Sequence, residues 1–245
     1  MSVINANTQI YDSIMNRTAL LHLYERRVSN KVFLILNGHK VRVDTLIKEA
    51  ELSNKGFKRL QEAITEDLLK THQETFNVSK RSLLDLATDQ ASYMYQNIET
   101  TMGKIWKTKR PQDRIAEEIV LEKPLYKNKT LESSWEGISL QEKKRLEKVI
   151  RYGIANDKTA DEIALEVRKG HIHDITRNQS KALVVTAITS VHNQVDQQIY
   201  MTNAKAITGY QYVAILDSRT TQLCAHLDGQ IFPVGDYEHV PPLVI

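Results

Sequence analysis

The sequence has one cysteine, no long apolar run and few glycines. A single cysteine among 245 residues excludes an internal disulfide and fits a reducing compartment. No stretch approaches the roughly 18–20 apolar residues that a transmembrane helix needs. The nine glycines do not cluster, so no glycine-rich phosphate loop is predicted. The first residues lack a basic segment followed by an apolar one, and we therefore predict no signal peptide.

Charge is small in total but unevenly distributed. The formal net charge of +3 does not by itself indicate a nucleic-acid partner. From Lys104 to Lys129 there are eight basic and four acidic residues. We interpret this run as a solvated connector, with contact to DNA phosphates or to an acidic partner as the alternative. The residues expected to contact DNA in that alternative are Lys104, Lys107, Lys109 and Arg110.

The first 51 residues are predicted to form two helices. Apolar residues at helical spacing predict a helix over Thr8–Leu36, and Asn37-Gly38 is typical of a helix end. Asp44 is then expected to cap a short helix that ends at Glu51. The alternative is a β-hairpin over Val32–Val43, because Asn-Gly between two β-branched runs is a hairpin signature.

Two longer helices are predicted next. One follows Ser53-Asn54 and ends near Phe76, and the other is capped by Ser79 and ends near Trp106. Each would be about 30–40 Å long, which favours an elongated antiparallel pair. Residues 1–106 are therefore predicted to form an N-terminal long-helix arm, and residues 107–138 a basic connector with at most one short helix near Asp113–Leu121.

Residues 139–245 are predicted to form a C-terminal helical domain with a small β-hairpin unit. Reciprocal capping signatures predict three helix starts, at Ser139–Glu142, Thr159–Glu162 and Thr176–Gln179. These helices are expected to end near Tyr152, at Lys169 before Gly170, and near Ala204. The fold class is thus mainly α, with a small β element.

The most informative stretch follows the last helix. Tyr210–Leu216 is predicted to be a strand, and Asp217-Ser218 a turn and helix cap. Two helical turns over Thr220–Leu227 should lead to a tight turn at Asp228-Gly229. A second short strand, Gln230–Phe232, should then end at Pro233.

Candidate chemistry in this stretch is weak. Cys224, His226 and His239 are possible zinc ligands, but the C-x-H spacing differs from that of structural zinc sites, so no metal is predicted. A Cys–His nucleophile pair lacks an oxyanion hole, and the His171–His173 run is interpreted as a solvated loop. We predict no catalytic residue and no cofactor. Asp217, Arg219 and Asp228 are interpreted as structural, because Arg219 can bind a carboxylate through two hydrogen bonds; a catalytic arginine is the alternative.

The motif D-x-R-T, Cys, L-D-G, an aromatic residue and Pro-Pro resembles the C-terminal domain of the phage Mu protein F-like family of minor head proteins. The resemblance covers roughly Ser139 to Leu243. The sequence differs from the family at Val185–Ala187, where many members have R-T-E, and it ends at Ile245, where members usually continue with a His and a Cys-Arg element. The residues that carry the resemblance are Asp217, Arg219, Thr220, Cys224, Leu227, Asp228, Gly229, Phe232, Pro241 and Pro242.

This resemblance implies a minor capsid protein of head morphogenesis, without enzymatic turnover. We expect it to dock on the portal inside the head and to affect DNA packaging or ejection. Its partners would be the portal protein, capsid or other head proteins, and nonspecific double-stranded DNA, with no membrane. It would reside in the virion, and in the host cytoplasm during assembly. The alternatives are a hydrolase or toxin-like effector domain, and a nonspecific DNA-binding protein.

Overall fold

A computed structural model describes residues 3–51, 53–102, 114–205, 207, 209–214 and 220–236. The mainly α fold class with a small β element is confirmed. In the described part of the chain, no helix is both long and apolar enough to cross a membrane. The elements in order are α1 (Val3–Glu49), α2 (Asn54–Met102), α3 (Ile115–Glu117) continuing into a π-helical turn (Glu118–Glu122), α4 (Leu131–Ala155), α5 (Ala160–Lys169), α6 (Ile172–Thr202), β1 (Gly209–Gln211), α7 (Gln222–Leu227) and β2 (Ile231–Pro233).

Helix α1 runs without a break through Asn37-Gly38. The predicted helix end and the alternative hairpin are therefore both wrong. A glycine inside a helix costs about 1 kcal/mol, but buried Val32 and Val43 continue one inward face on both sides of it. Packing of this face outweighs the local preference. Asp44 caps no separate helix; it forms ion pairs with Lys48 and with Arg168 of α5.

The structure has one helix, α2, where the sequence predicted two. The chain remains helical through Ser79, which the sequence suggested as a cap. Thr71, Thr75 and Ser79 are all buried and recur every four residues, so they continue the inward face. The Thr75 hydroxyl donates to the backbone carbonyl of Thr71 at 3.0 Å. Polar residues that resembled a helix boundary thus lie inside the helix because the helix backbone accepts their hydrogen bonds.

The start of α4 differs from its prediction. Thr130 is the N-cap, and its hydroxyl accepts from the Ser133 backbone N–H. The predicted capping box at Ser139–Glu142 is wrong, because these residues lie within the helix and Glu142 is buried. The short helix predicted near Asp113–Leu121 matches α3 and the π-helical turn that follows it.

Of the remaining two capping boxes, one is confirmed. Thr159 and Glu162 exchange both hydrogen bonds of a capping box at the start of α5, and Gly170 ends that helix as predicted. Helix α6 begins at Ile172, after His171 in the left-handed conformation (φ 50°). Thr176 therefore lies inside α6 and does not cap it.

Two hydrophobic clusters fill the interior. The first is formed by buried residues such as Val32, Leu83, Trp135 and Ile188, and the second by residues such as Ile47, Ile64, Leu146 and Ile163. Both clusters contain residues of α1, α2, α4 and α6. The N-terminal helices therefore share their interior with the C-terminal ones, and the division at 1–106, 107–138 and 139–245 stays a prediction.

Between the two clusters, each long helix turns polar residues inward. We call this layer the polar belt. On α1 it lies between Val32 and Val43, and on α4 it lies between Trp135 and Leu146. Burying polar groups is costly unless they form hydrogen bonds, so the polar groups of the belt need partners on the neighbouring helices. Its members are His39, Asp67, Thr71, Thr75, Ser79, Glu142, His173, Thr176 and Ser180.

Candidate functional site

The centre of the polar belt is a cluster of two histidines and two carboxylates from four helices. His39 comes from α1, Asp67 from α2, Glu142 from α4 and His173 from α6. His39 lies seven residues after Val32 and four before Val43, and Glu142 has the same spacing from Trp135 and Leu146. Because these neighbours are buried, helical periodicity aims both side chains inward.

The four side chains are in direct contact. The Nδ1 atom of His39 lies 2.5 Å from a carboxylate oxygen of Asp67, and its Nε2 lies 3.5 Å from Oε1 of Glu142. The same Oε1 lies 3.0 Å from Nδ1 of His173. The two imidazole rings meet edge to face, with centroids 5.7 Å apart. Glu142 is thus shared by both histidines.

Burial and pairing act in opposite directions on these groups. Burial acts to lower the pKa of His39, but the hydrogen bond to Asp67 and the nearby charge of Glu142 raise it to about 9. Burial acts to raise the pKa of Glu142, but the hydrogen bond from His173 and the nearby charge of His39 lower it to about 2. At neutral pH and without a metal, the cluster therefore contains an imidazolium between two carboxylates.

Flanking residues hold this cluster in place. Arg42 donates to the second oxygen of Asp67 and, at 3.1 Å, to the hydroxyl of Thr71. The pKa of Asp67 is lowered because hydrogen bonds from His39 and Arg42 outweigh its burial. Four buried polar atoms in and beside the belt nevertheless have no hydrogen-bond partner in the described structure. They are His39 Nε2, Ser79 Oγ, Arg145 Nε and Ser180 Oγ.

The cluster also offers a set of metal-ligand atoms. One atom each from His39, Glu142 and His173 can be chosen so that all lie within 4.8 Å of one another. Sequence reasoning missed this arrangement: His39 followed a predicted helix end, Glu142 was assigned to a cap, and His173 was interpreted as solvated. The side chain of His173 is in fact only 11% exposed. The available signal was a charged or imidazole side chain in phase with an apolar repeat.

The second candidate region is the C-terminal motif unit, residues 209–236 as described. β1 and β2 pair antiparallel, with Tyr210 opposite Phe232. Gly209 is required there because a Cβ at this position would lie 2.9 Å from the Phe232 carbonyl oxygen. Tyr210 stacks on Tyr200 of α6, with ring centroids 6.1 Å apart. The hairpin is therefore attached to the end of the long helix.

Turn and cap chemistry shapes the rest of the unit. Thr221 caps α7 by accepting from the Cys224 backbone N–H at 3.2 Å, in place of the predicted Asp217-Ser218 cap. Gly229 has a positive φ of 78°, and the predicted Asp228-Gly229 turn is confirmed. The predicted second strand is confirmed as β2, whereas the first strand is shorter than predicted and ends at Gln211.

The structure describes some of the predicted site residues and not others. Asp228 accepts from the backbone N–H of Ala214 at 2.9 Å, a contact of the structural kind that was predicted for it. Thr220, Cys224, Leu227, Gly229 and Phe232 also lie in the described unit. Nine other residues for which the sequence predicts a role lie outside the described part of the chain: Asp217, Arg219, Pro241, Pro242, His239, Lys104, Lys107, Lys109 and Arg110. The roles of all these residues stay predictions.

Cys224 was the candidate nucleophile and zinc ligand of the alternative predictions, and its described contacts are those of a structural residue. The Tyr212 hydroxyl lies 3.5 Å from Cys224 Sγ. Hydrogen bonds with Thr221 and Tyr212 hold the pKa of the Cys224 thiol below its ordinary value. His226 is exposed, and its backbone carbonyl accepts from the side chain of Gln230. These contacts stabilise the turn between α7 and β2.

Comparison with known proteins gives one match. The sequence model of the family described as phage Mu protein F like protein matches residues 144–243. No curated protein and no solved structure matches the chain. The matched range contains His173 and the motif unit, whereas His39, Asp67 and Glu142 precede it. Residues 144–243 of this chain are therefore similar to the phage Mu protein F-like family, and this similarity supports a role in phage head morphogenesis.

Proposed function

We propose that this chain is a minor head protein that docks on the portal inside the phage head, and that α1 supplies the docking face. The family match supports a role in head morphogenesis and a place in the virion. The observation that carries the docking face is a row of large apolar side chains that α1 leaves exposed. Helix α1 also precedes the family-matched range, so it can give this chain a partner-specific surface.

The exposed row is called the α1 stripe. Its members are Leu20, Leu23, Leu34 and Val41, which are 55%, 60%, 73% and 64% exposed. At 3.6 residues per turn they fall within an arc of about 60° and span about 30 Å of the helix. The buried residues Val28 and Val32 lie on a different side of α1. Exposed Arg27 lies in the same arc between Leu23 and Leu34, so the stripe consists of two apolar patches. Exposed apolar patches mark protein interaction sites.

The spacing of the stripe suits a helical partner. Leu20, Leu34 and Val41 are separated by multiples of seven residues, which is the repeat of helix-on-helix packing. A portal subunit that presents an amphipathic helix would cover the stripe.

Binding of the purified full chain to the cognate portal oligomer tests this proposal. The double variant Leu20→Glu, Leu34→Glu should no longer comigrate with the portal, because two carboxylates cannot be buried unpaired in an apolar contact. Leu140→Glu is the matched control, since Leu140 is 52% exposed on α4, and it should bind as the unsubstituted chain does. Circular dichroism should show the same thermal unfolding for all three proteins.

Two results would overturn the proposal. One is equal portal binding by the stripe variant and the control. The other is an unsubstituted chain that binds neither the portal nor the capsid protein. Binding to the capsid protein alone would keep the assembly role but would replace the portal as the partner.

An influence on packaged DNA is the finer part of the same proposal. It rests on the basic residues Lys104, Lys107, Lys109 and Arg110 of the sequence. Such contacts would be weak, nonspecific and sensitive to salt. Members of the family are not typically enzymes, and we propose that this chain also acts by docking, without turnover.

A further inference from the structure

We propose that His39, Glu142 and His173 bind one divalent transition metal ion, with Zn²⁺ the best fit. The site lies at the centre of the polar belt and joins α1, α4 and α6. It is independent of the α1 stripe and of portal docking.

The donor atoms suit zinc. Two imidazole nitrogens and one carboxylate oxygen form a ligand set that zinc sites use. Ligand bonds of about 2.0–2.2 Å in a tetrahedron place neighbouring donor atoms about 3.4 Å apart. The separation between His39 Nε2 and Glu142 Oε1 is 3.5 Å, and the three donors lie within 4.8 Å of one another. Small side-chain rotations would bring all three onto one ion.

An unpartnered buried atom points to a ligand. His39 is 1% exposed, and its Nε2 has no hydrogen-bond partner although it faces Glu142. Its other nitrogen, Nδ1, contacts Asp67. A histidine whose Nδ1–H donates to a carboxylate presents Nε2 as the ligand atom, which is the usual orientation in zinc sites. Arg42 binds Asp67 from the other side, so the orienting carboxylate is itself held.

Magnesium and calcium fit the site poorly. Both are hard cations that take oxygen ligands, whereas two of the three donors here are nitrogens. Three protein ligands leave one position of a tetrahedron for water. The unpartnered hydroxyl of Ser180 and the Nε of Arg145 show that the belt has unmet hydrogen-bonding capacity.

Metal binding would link parts of the chain that the family match separates. His173 lies in the matched range 144–243, and His39 and Glu142 lie before it. A bound ion would therefore hold the long N-terminal helix against the family domain. Because the ion binds the folded arrangement and not the unfolded chain, it should raise thermal stability.

Metal titration of the chelator-treated full chain tests the proposal. We expect one equivalent of Zn²⁺ to bind and to raise the melting temperature, and Co²⁺ at the same site to give the visible absorption of a four-coordinate ion. Mg²⁺ should do neither. Glu142→Gln and His173→Gln each remove a ligand with little change of shape, and each should weaken Zn²⁺ binding by more than about 100-fold. Asp67→Asn should weaken it by about 10–100-fold, as expected for an orienting carboxylate.

Two control variants separate this site from other zinc ligands. His171→Ala changes an exposed histidine two residues away, with 74% of its side chain accessible, and should leave Zn²⁺ affinity unchanged. Cys224→Ser removes a ligand of the alternative Cys224, His226 and His239 set and should also leave it unchanged.

The proposal is overturned by any of three results. The first is no Zn²⁺ binding by the unsubstituted chain, which would mean that protons alone occupy the cluster. The second is unchanged affinity in both Glu142→Gln and His173→Gln, provided that both variants unfold cooperatively. The third is loss of binding in Cys224→Ser.

Discussion

The polar belt and the C-terminal motif unit use polar residues in opposite ways. In the belt, His39, Glu142 and His173 meet although they are far apart in sequence, and His39 and Glu142 are buried. In the motif unit, Thr221 accepts from the backbone N–H of Cys224, three residues further on, and Asp228 accepts from Ala214, fourteen residues earlier, at the surface. Local polar chemistry is visible as a pattern in the sequence, whereas a polar cluster assembled by distant helices is not.

The two regions should also differ in their cost of disruption. Removing one partner of a buried charged pair leaves the other charge uncompensated, which typically costs about 3–5 kcal/mol. Losing one hydrogen bond at the surface costs about 1 kcal/mol.

Glu142→Gln should be the most destabilising of these changes. In the metal-free chain it removes the carboxylate that both His39 and His173 contact, and unfolding free energy should fall by about 3–5 kcal/mol. Urea unfolding of the full chain measures this. Glu147→Gln is the control: Glu147 pairs with Lys143 on the surface of the same helix, and its loss should cost under about 0.5 kcal/mol. Equal effects of the two changes would show that the belt does not depend on its charges.

The unfolding free energy of the metal-free chain should depend on pH through His39 and Glu142. The pKa of His39 is raised to about 9, so its contribution is complete below about pH 6.5 and lost as the pH rises toward 9. The pKa of Glu142 is lowered to about 2, so its contribution is complete above about pH 4.5 and lost as the pH falls toward 2. Urea unfolding with chelator present, across this pH range, should show greatest stability between pH 4.5 and 6.5, and Glu142→Gln should flatten the profile. A profile identical in both proteins would contradict the assignment.

Arg219→Ala tests the motif unit. We predict that Arg219 is paired with a flanking carboxylate, so its loss should destabilise the unit by about 1–3 kcal/mol. Amide hydrogen exchange at Tyr212 and Gly229, whose N–H groups bond within the unit, should then be faster, while the belt stays protected. Arg219→Lys should restore only part of the protection, because an ammonium group cannot form two parallel hydrogen bonds to a carboxylate. Unchanged exchange in Arg219→Ala would favour the catalytic alternative for this residue.

Neutralising the basic run should have the smallest effect on the fold. Because the basic run is predicted to be a solvated connector, replacing Lys104, Lys107, Lys109 and Arg110 by Gln should change unfolding free energy by under about 0.5 kcal/mol. DNA binding should weaken, and its dependence on salt concentration should become flatter, because fewer counterions are released. Fluorescence anisotropy with duplexes of unrelated sequence measures both. Binding that depends on sequence and survives high salt would contradict the prediction.

The two capping boxes that failed show why the belt could not be predicted. Ser139–Glu142 and Thr176–Gln179 match the same pattern as Thr159–Glu162, a Ser or Thr followed three residues later by Glu or Gln, but only Thr159–Glu162 forms the box. The difference is that Glu142 and Thr176 are buried by other helices. A local signature gives the same prediction in all three places, because it contains no information about which positions face the core.

Contacts between residues that are close in sequence could be predicted without the structure. They were enough to predict α5 with its caps, the Asp228-Gly229 turn and the second strand, since each depends on residues a few positions apart. The sequence did not reveal that α1 continues through Gly38 and α2 through Ser79, or that His39 and Glu142 meet in the interior. These outcomes depend on packing with helices far away in sequence, and the free energy of that packing exceeds the local preference for a break.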